Sequence, residues 1–270
     1  MSKDVTIAIP VWNVEQYVAE AVESAARQTY KDIQLLIVDD CCTDRSMEIA
    51  INKIVELGVA DRTKILQHDK NRGLGIARNS AIANTTTEYL YFLDSDDEMQ
   101  PDAIEKLMAA AQDTNADITL GSCQKTNADK TKSRAYSVYP KMVITTPQAG
   151  IYLTAYAAPR ITTEAWGKLY KTSLFHDHDI RTCHLILEDI LLWMETAYYA
   201  ATVATIPDIV QTYRVRPKSI CRTGWNTPAR QELLQKLKEE IDEFAEQHPC
   251  MGMNEVRDRM KRIVDAKIAK

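Results

Sequence analysis

Along the first half of the chain, apolar stretches alternate with amphipathic ones. VTIAIPV (5–11), IQLLIVD (33–39), TKILQH (63–68), YLYFLD (89–94) and DITLGS (117–122) are short and rich in branched or aromatic side chains. Most lack a polar–apolar alternation, which predicts strands covered on both faces. Between them apolar positions return at the helical interval. Val14, Val18, Ala21, Val22 and Ala25 share one face, as do Ile104, Leu107, Met108 and Ala111. Pro101 suits the first turn of the second of these helices, with Met99 or Gln100 just before it. Strand followed by helix, repeated, predicts the α/β class: a mostly parallel central sheet flanked by helices.

The rhythm breaks after residue 123. QKTNADKTKSRAYSVYPK is polar and predicts a loop or a hairpin, and 150–225 holds aromatic and Arg/Lys motifs on no clear period. From Pro228 the pattern is helical. Leu233, Leu237, Ile241 and Phe244 form one stripe, and Val256, Met260, Ile263 and Ile268 suggest another beyond HPCMG. The expected organisation is an α/β half over 1–123, a second half of the same domain over 124–225, and a helical C-terminal extension over 226–270.

Composition narrows the function. A net charge of −5 does not favour a nucleic-acid surface. The N-terminal apolar run is too short for a signal peptide, and the longest apolar region, 185–206, is interrupted by Glu188, Asp189 and Glu195, so it makes a poor membrane span. A cytoplasmic protein is the default. Residues 256–270 carry six basic and two acidic side chains. That final helix is a candidate for peripheral contact with the inner face of an anionic membrane, against the plainer reading of an exposed helix with one buried face. The six cysteines form no CxxC pair, which leaves a structural zinc site unsupported.

In an open parallel sheet, ligands bind beyond the carboxyl ends of the strands, so strand endings deserve separate reading. The first ends in Pro10-Val11-Trp12-Asn13, the second in Asp39-Asp40, the third runs into HDKNRGLGIARN (68–79), and the fourth ends in DSDDE (94–98). Carboxylates, amides, an aromatic ring and Arg78 are thus delivered to one rim. Two carboxylates spaced as Asp94 and Asp96 suit a hard divalent cation shared with a ligand's phosphates. The competing reading is a solvated turn that caps the next helix. An EF-hand fails, because Met99 stands where its loop needs glycine. Gly73 and Gly75 lack the spacing and placement of a dinucleotide loop and also fit a plain turn before a helix. Arg78 has two candidate partners: an internal carboxylate, or a donor phosphate or base.

IPVWN, VDDCCTDRS, NRGLGIARN and FLDSDD occur in order, and together they resemble the family 2 glycosyltransferases, inverting enzymes of the GT-A fold. WGKLYKTSLF (166–175), LEDILL (187–192) and YRVRPKSI (213–220) resemble that family's acceptor-side segments more loosely. The resemblance implies a GT-A, Rossmann-like fold with nucleotide-sugar binding in 1–123 and acceptor binding in 124–225. It implies that Pro10, Trp12 and Asp39 line the nucleotide pocket and that Asn71 and Arg78 complete it. Asp94 would hold the ribose beside Ser95, and Asp96 would ligate Mn2+ or Mg2+. Asp189 would be the general base, and Arg216 and Ser219 would lie over the diphosphate. The implied partners are a nucleotide-sugar donor, a UDP-sugar for preference, and a glycan or lipid-linked acceptor. A nucleotidylyltransferase and an inactive sugar-nucleotide-binding module stand as alternatives, and the sequence sets no oligomeric state.

The family usually has Gly-Ser where this chain has Cys41-Cys42. If that glycine serves a positive φ, Cys41 bears a steric cost. A cysteine nucleophile or metal ligand here is the competing reading, without a histidine partner nearby in sequence. Glu188 and Asp189 also suit the acidic first turn of a helix. Trp166 is either a sugar-stacking platform or core, and His176, His178 and His184 fit a solvated loop better than a metal site.

Overall fold

The computed structural model describes residues 4–158, 161–183, 186–216 and 227–268. In chain order the elements are β1 (Val5–Val11), α1 (Val18–Ala26), β2 (Ile33–Asp39), α2 (Ser46–Glu56), β3 (Thr63–Gln67), α3 (Leu74–Asn84), β4 (Tyr89–Phe92), β5 (Glu98–Met99) and α4 (Ala103–Thr114). There follow β6 (Ile118–Asn127), β7 (Ser133–Ser137), β8 (Met142–Thr145), α5 (Ala149–Tyr152), β9 (Lys168–Lys171), α6 (Thr172–Asp177), α7 (Asp189–Tyr199), β10 (Thr202–Val215), α8 (Pro228–Gln247) and α9 (Met253–Ile268). Among the described residues these strands form one sheet in the order β3-β2-β1-β4-β9-β6-β10-β5, with β7 on β6 and β8 on β10.

β3, β2, β1 and β4 run parallel, as do β6 and β10, while β9, β5, β7 and β8 join antiparallel. This is the mixed α/β architecture expected, with helices on both faces. β1 is buried along its whole length and β2 at all but Gln34, because each has a parallel neighbour on both sides and helices above and below. β3 departs from that expectation. It is the sheet edge, and Lys64, Ile65 and Gln67 are exposed. The polar stretch after 123 resolves into β6 running on to Asn127 and turning into β7, a hairpin.

Two helix readings need correction. Pro101 precedes α4 rather than entering it, with Asp102 at the N-cap and Ala103 first. In α8 the buried stripe is Leu234, Leu237, Ile241, Phe244 and Ala245, and Leu233 lies at its margin. Pro228 does occupy the first turn of α8, and the Thr227 side chain accepts from Arg230 N, as a cap requires. In α9 the buried set is Met253, Val256, Met260 and Val264, with Ile263 and Ile268 packed at the edge.

α8 and α9 pack into the same core as α3, α5 and α7. Arg259 of α9 donates to the Thr154 and Ile161 carbonyls, tying the extension to the segment that leads into β9. Among the described residues no helix is long and apolar enough to cross a membrane.

Candidate active site

β2 and β4 flank β1 in parallel, so their carboxyl ends bring Asp39 and the 94–98 run to one rim with Trp12. Pro10 is buried within β1, and Trp12 just beyond the strand is 47% exposed. Asp39 is buried at the end of β2. Its Oδ1 accepts from Cys42 N at 2.9 Å and its Oδ2 from Gln67 Nε2 at 3.3 Å. The turn between is left-handed at Cys41 (φ 62°), the conformation expected of the glycine it replaces. Asn13, facing it across the rim, also has positive φ (49°) and accepts from Thr43 N. Burial pushes the Cys42 thiol up to about 12, and its Sγ donates to Val11 O. A thiol held protonated near neutral pH is a poor nucleophile, so Cys42 is unsuited to that role and fills the turn.

Asp40, which sequence reasoning left without a role, organises the next loop. Its two oxygens accept from Arg72 N and Gly73 N at 2.8 Å each, and Oδ1 also meets His68 Nδ1 at 2.7 Å. That fixes the loop on which Asn71 stands exposed. The DD doublet was its only signal.

Arg78 is fully buried. Its NH2 donates to Asp94 Oδ1 at 2.8 Å, and its NH1 donates to Glu188 Oε1 at 2.6 Å and to Asp189 Oδ1. Of the two partners open to Arg78, the structure shows the internal carboxylates. The buried guanidinium thus ties Asp94 to Glu188 and Asp189. Asp189 begins α7, after Leu187 at φ 60°. Desolvation raises its carboxyl to about 8, against the pull of Arg78, and raises Glu188 in the same direction. Of the positive-φ non-glycine residues described, Asn13, Cys41 and Leu187 lie next to these side chains, while Asn115, Lys130, Gln148 and Asp179 lie elsewhere in the chain.

The DxD run divides its labour. Asp94 pairs with Arg78, and Ser95 is buried beside it. Asp96 is ion-paired with Arg216 Nε; burial raises its carboxyl, Arg216 opposes that rise and Asp94 adds to it. Asp97, unassigned from sequence, is buried and raised well above the carboxylate range by desolvation and by its two acidic neighbours. It accepts from Gln211 Nε2 at 3.0 Å and Arg214 N at 2.8 Å, which anchors the end of β10 and so places Arg216. Ser219 and His184 lie outside the described residues.

Lys168, another residue passed over, is fully buried in β9. Its ammonium donates to Glu164 O and lies 5.3 Å from the Trp193 ring centroid; burial lowers it to about 8, opposed by Glu164, Cys123 and Asp189. A lysine inside an apolar strand was the available signal. Trp166 is core: it is 2% exposed and stacks on Tyr213 at 5.6 Å. His176 and His178 are both exposed; His176 meets Ile82 O at 3.1 Å and His178 stacks on Tyr199 at 4.0 Å.

Among the described residues no three His, Cys, Asp or Glu side chains are grouped to hold a metal ion by themselves. Asp94 and Asp96 nevertheless suit a hard cation that takes its other ligands from phosphate and water. Both are oxygen donors, and Asp96 stands desolvated beside a second carboxylate, where positive charge is favoured.

The model of Glycosyl transferase family 2 matches residues 6–168. Glycosyltransferase GlyA of Streptococcus pneumoniae is 29% identical over 247 residues, which are 88% of this chain and 34% of that protein. The uncharacterized glycosyltransferase EpsJ of Bacillus subtilis is 29% identical over 238 residues, 86% of this chain and 67% of EpsJ. The chain therefore spans about a third of the first relative and two thirds of the second. TarS of S. aureus, crystallised with UDP-GlcNAc, superposes with a TM-score of 0.74 at 21% identity, covering 98% of this chain and 72% of that one. The mannosyltransferase PcManGT of Pyrobaculum calidifontis, in complex with GDP-Man and Mn2+, gives 0.64 at 14% identity, covering 98% and 74%. At these identities the solved structures establish the fold, which is GT-A. With more than half its length matched by the family model, this chain belongs to glycosyl transferase family 2.

Proposed function

We propose that the chain transfers a sugar from a nucleoside diphosphate donor, a UDP-sugar, to a hydroxyl of a glycan or lipid-linked acceptor, with inversion. One observation carries the reading: Arg78 binds Asp94 of the DxD run and Asp189 of the LED motif at once. The donor-side carboxylates and the candidate base therefore belong to one site, although far apart in sequence. UDP-GlcNAc in TarS and GDP-Man with Mn2+ in PcManGT support a sugar-nucleotide donor on this fold.

Trp12 and Pro10 wall the nucleotide, Asp39 accepts from the base, Asn71 closes the pocket, and Asp94 with Ser95 takes the ribose. Asp96 would hold Mn2+ or Mg2+, which would supply positive charge against the departing diphosphate. Arg216 and Ser219 add positive and hydrogen-bonding contacts there. Asp189 accepts the acceptor hydroxyl's proton as that oxygen attacks from the face opposite the diphosphate. It needs to stand roughly 2.6–3.2 Å from the hydroxyl to do so. One displacement inverts the anomeric carbon, so no enzyme nucleophile is required.

The test is a panel of UDP-, GDP- and dTDP-sugars, each with and without Mn2+, scored by thermal stabilisation and by release of nucleoside diphosphate. A UDP-sugar should stabilise the chain most in the presence of Mn2+. Asp96→Ala should lose the Mn2+ increment, and Asp189→Asn should keep binding while transfer falls at least a hundredfold. Unchanged turnover in Asp189→Asn would remove it as the base, and pyrophosphate release from UTP plus sugar phosphate would replace the reading by nucleotidyl transfer.

A further inference from the structure

A groove of about 530 Å³ lies between α1 and the β6–β7 hairpin, floored by β5 and the end of β10. It is apart from Arg78 and Asp189 but touches Glu98, two residues beyond Asp96. Its volume falls in the range of small-ligand sites, roughly 300–1,000 Å³.

The charges on its walls are already matched. Lys130 Nζ pairs with Glu20 at 2.8 Å and Glu98 at 2.6 Å, and the Arg214 guanidinium pairs with the same two carboxylates. Glu23 pairs with Arg27 at 2.7 Å. A charged ligand would have to break these pairs to gain a partner.

What remains is neutral and of fixed polarity. The amide nitrogens of Gln100 and Gln124 both donate to Thr212 Oγ1, at 3.0 and 2.9 Å. That hydroxyl has two lone pairs, and both are now used, so its own proton is left to donate outward. The amide oxygens of Gln100 and Gln124 make no hydrogen bond to a described residue, and they can only accept. Gln100, Gln124, Thr212 and Ser133 all line the groove, so this set offers a ligand the Thr212 and Ser133 hydroxyls as donors and the two amide oxygens as acceptors. Ligand hydroxyls, each able to donate and accept, satisfy such a set; a carboxylate or phosphate would face two acceptors with no proton to offer.

We propose that this groove is a second carbohydrate subsite, taking a neutral sugar unit of the glycan at a distance from the reacting hydroxyl. This rests on the reading that the acceptor is a glycan. Glu98 and Thr212 border it, and Asp96 and Arg216, paired with each other, stand on the same two segments, so the groove adjoins the proposed donor rim.

The full chain is titrated with cellotetraose, maltotetraose and chitotetraose and with an oligogalacturonate of equal length, followed by calorimetry and saturation-transfer NMR. UDP binding is measured in parallel. At least one neutral tetrasaccharide should bind, and the anionic one should not. Thr212→Val, which removes the donor between the two glutamine oxygens, should weaken that binding about tenfold. Ser133→Trp, an exposed hairpin substitution that fills the groove without touching the Gln–Thr network, should abolish it. UDP affinity should hold in both variants. Binding of UDP with no neutral tetrasaccharide bound, preference for the anionic sugar, or equal tetrasaccharide affinity in wild type and Ser133→Trp would each overturn the subsite. If UDP fails to bind while Thr212→Val still weakens the tetrasaccharide, the donor assignment is what fails and the groove stands.

Discussion

Arg78 is one buried cation facing three carboxylates, and its Nε has no partner among the described residues. Removing one partner of a buried ionic cluster costs more than the pair contributes, because the remaining charges stay desolvated. Arg78→Met should therefore destabilise the chain by about 3–5 kcal/mol near neutral pH. The deficit should shrink on acidification, since Glu188 and Asp189, already raised, then take protons. Urea unfolding of both proteins at pH 5.5 and 8 reads the difference; an equal loss at the two pH values would mean that Arg78 acts through packing alone. Cys41 supplies a second test. A non-glycine residue in the left-handed region is disfavoured, most of all when β-branched. Cys41→Val should lose about 1–3 kcal/mol. Cys41→Gly should match or exceed the wild type, because relief of the turn offsets glycine's larger backbone entropy loss on folding. If both variants lose stability equally, the thiol itself, and not the backbone, sets the turn.

At the scale of elements, the residues that position chemistry are held by close helix contacts. A Cβ on Gly150 of α5 would lie 2.6 Å from Ala197 Cα and 2.7 Å from its Cβ, so α5 and α7 meet backbone to backbone. Gly150→Ala should cost about 1–3 kcal/mol by overpacking. Because α7 carries Asp189 at its first residue, transfer should fall by up to about a hundredfold. UDP affinity, which the proposed donor site assigns to β1, β2 and β4, should change little. Loss of UDP binding in step with transfer would show general disruption instead of a displaced base. These contacts also explain what the sequence could and could not disclose. β1 and β2 were readable to the residue because burial on both faces writes one unbroken apolar run. β3 misled because an edge strand shows the same branched residues with one side open. The rim positions of Asp39 and Asp94 were readable because each ends such a run, and that of Asp96 because it follows two residues on. The Arg78–Asp189 pairing was not, since a separation of 111 residues leaves no local periodicity. Lys168 and Asp97 stayed hidden for a related reason: burial, which gives them their character, belongs to the tertiary structure.

For the molecule as a whole, the buried carboxyl groups set stability and activity in opposition. Asp96, Asp97, Glu188 and Asp189 are all raised, first by desolvation. Between the ordinary carboxylate value, about 4, and the raised one, the folded chain holds protons that the unfolded chain has released. Stability then falls as pH rises, and for Asp189 the fall continues to about 8. Glu20, Asp44 and Asp129 are lowered, so their contribution is present above the ordinary value and lost on acidification below it. Lys168, lowered to about 8, reverses the slope only above that pH, where the unfolded chain retains the proton. The urea midpoint should therefore peak between about pH 4.5 and 6 and decline toward 8, with a shallower decline in Glu188→Gln. Sugar transfer should run the other way. Its base must be unprotonated, so kcat/KM should climb with pH and level off near 8, and Asp189→Asn should lack that limb. A midpoint that is flat or rising from pH 5.5 to 8 would mean that Arg78 and Arg216 keep the cluster ionised throughout. Transfer would then show no limb near 8 either, because both profiles report the same protons.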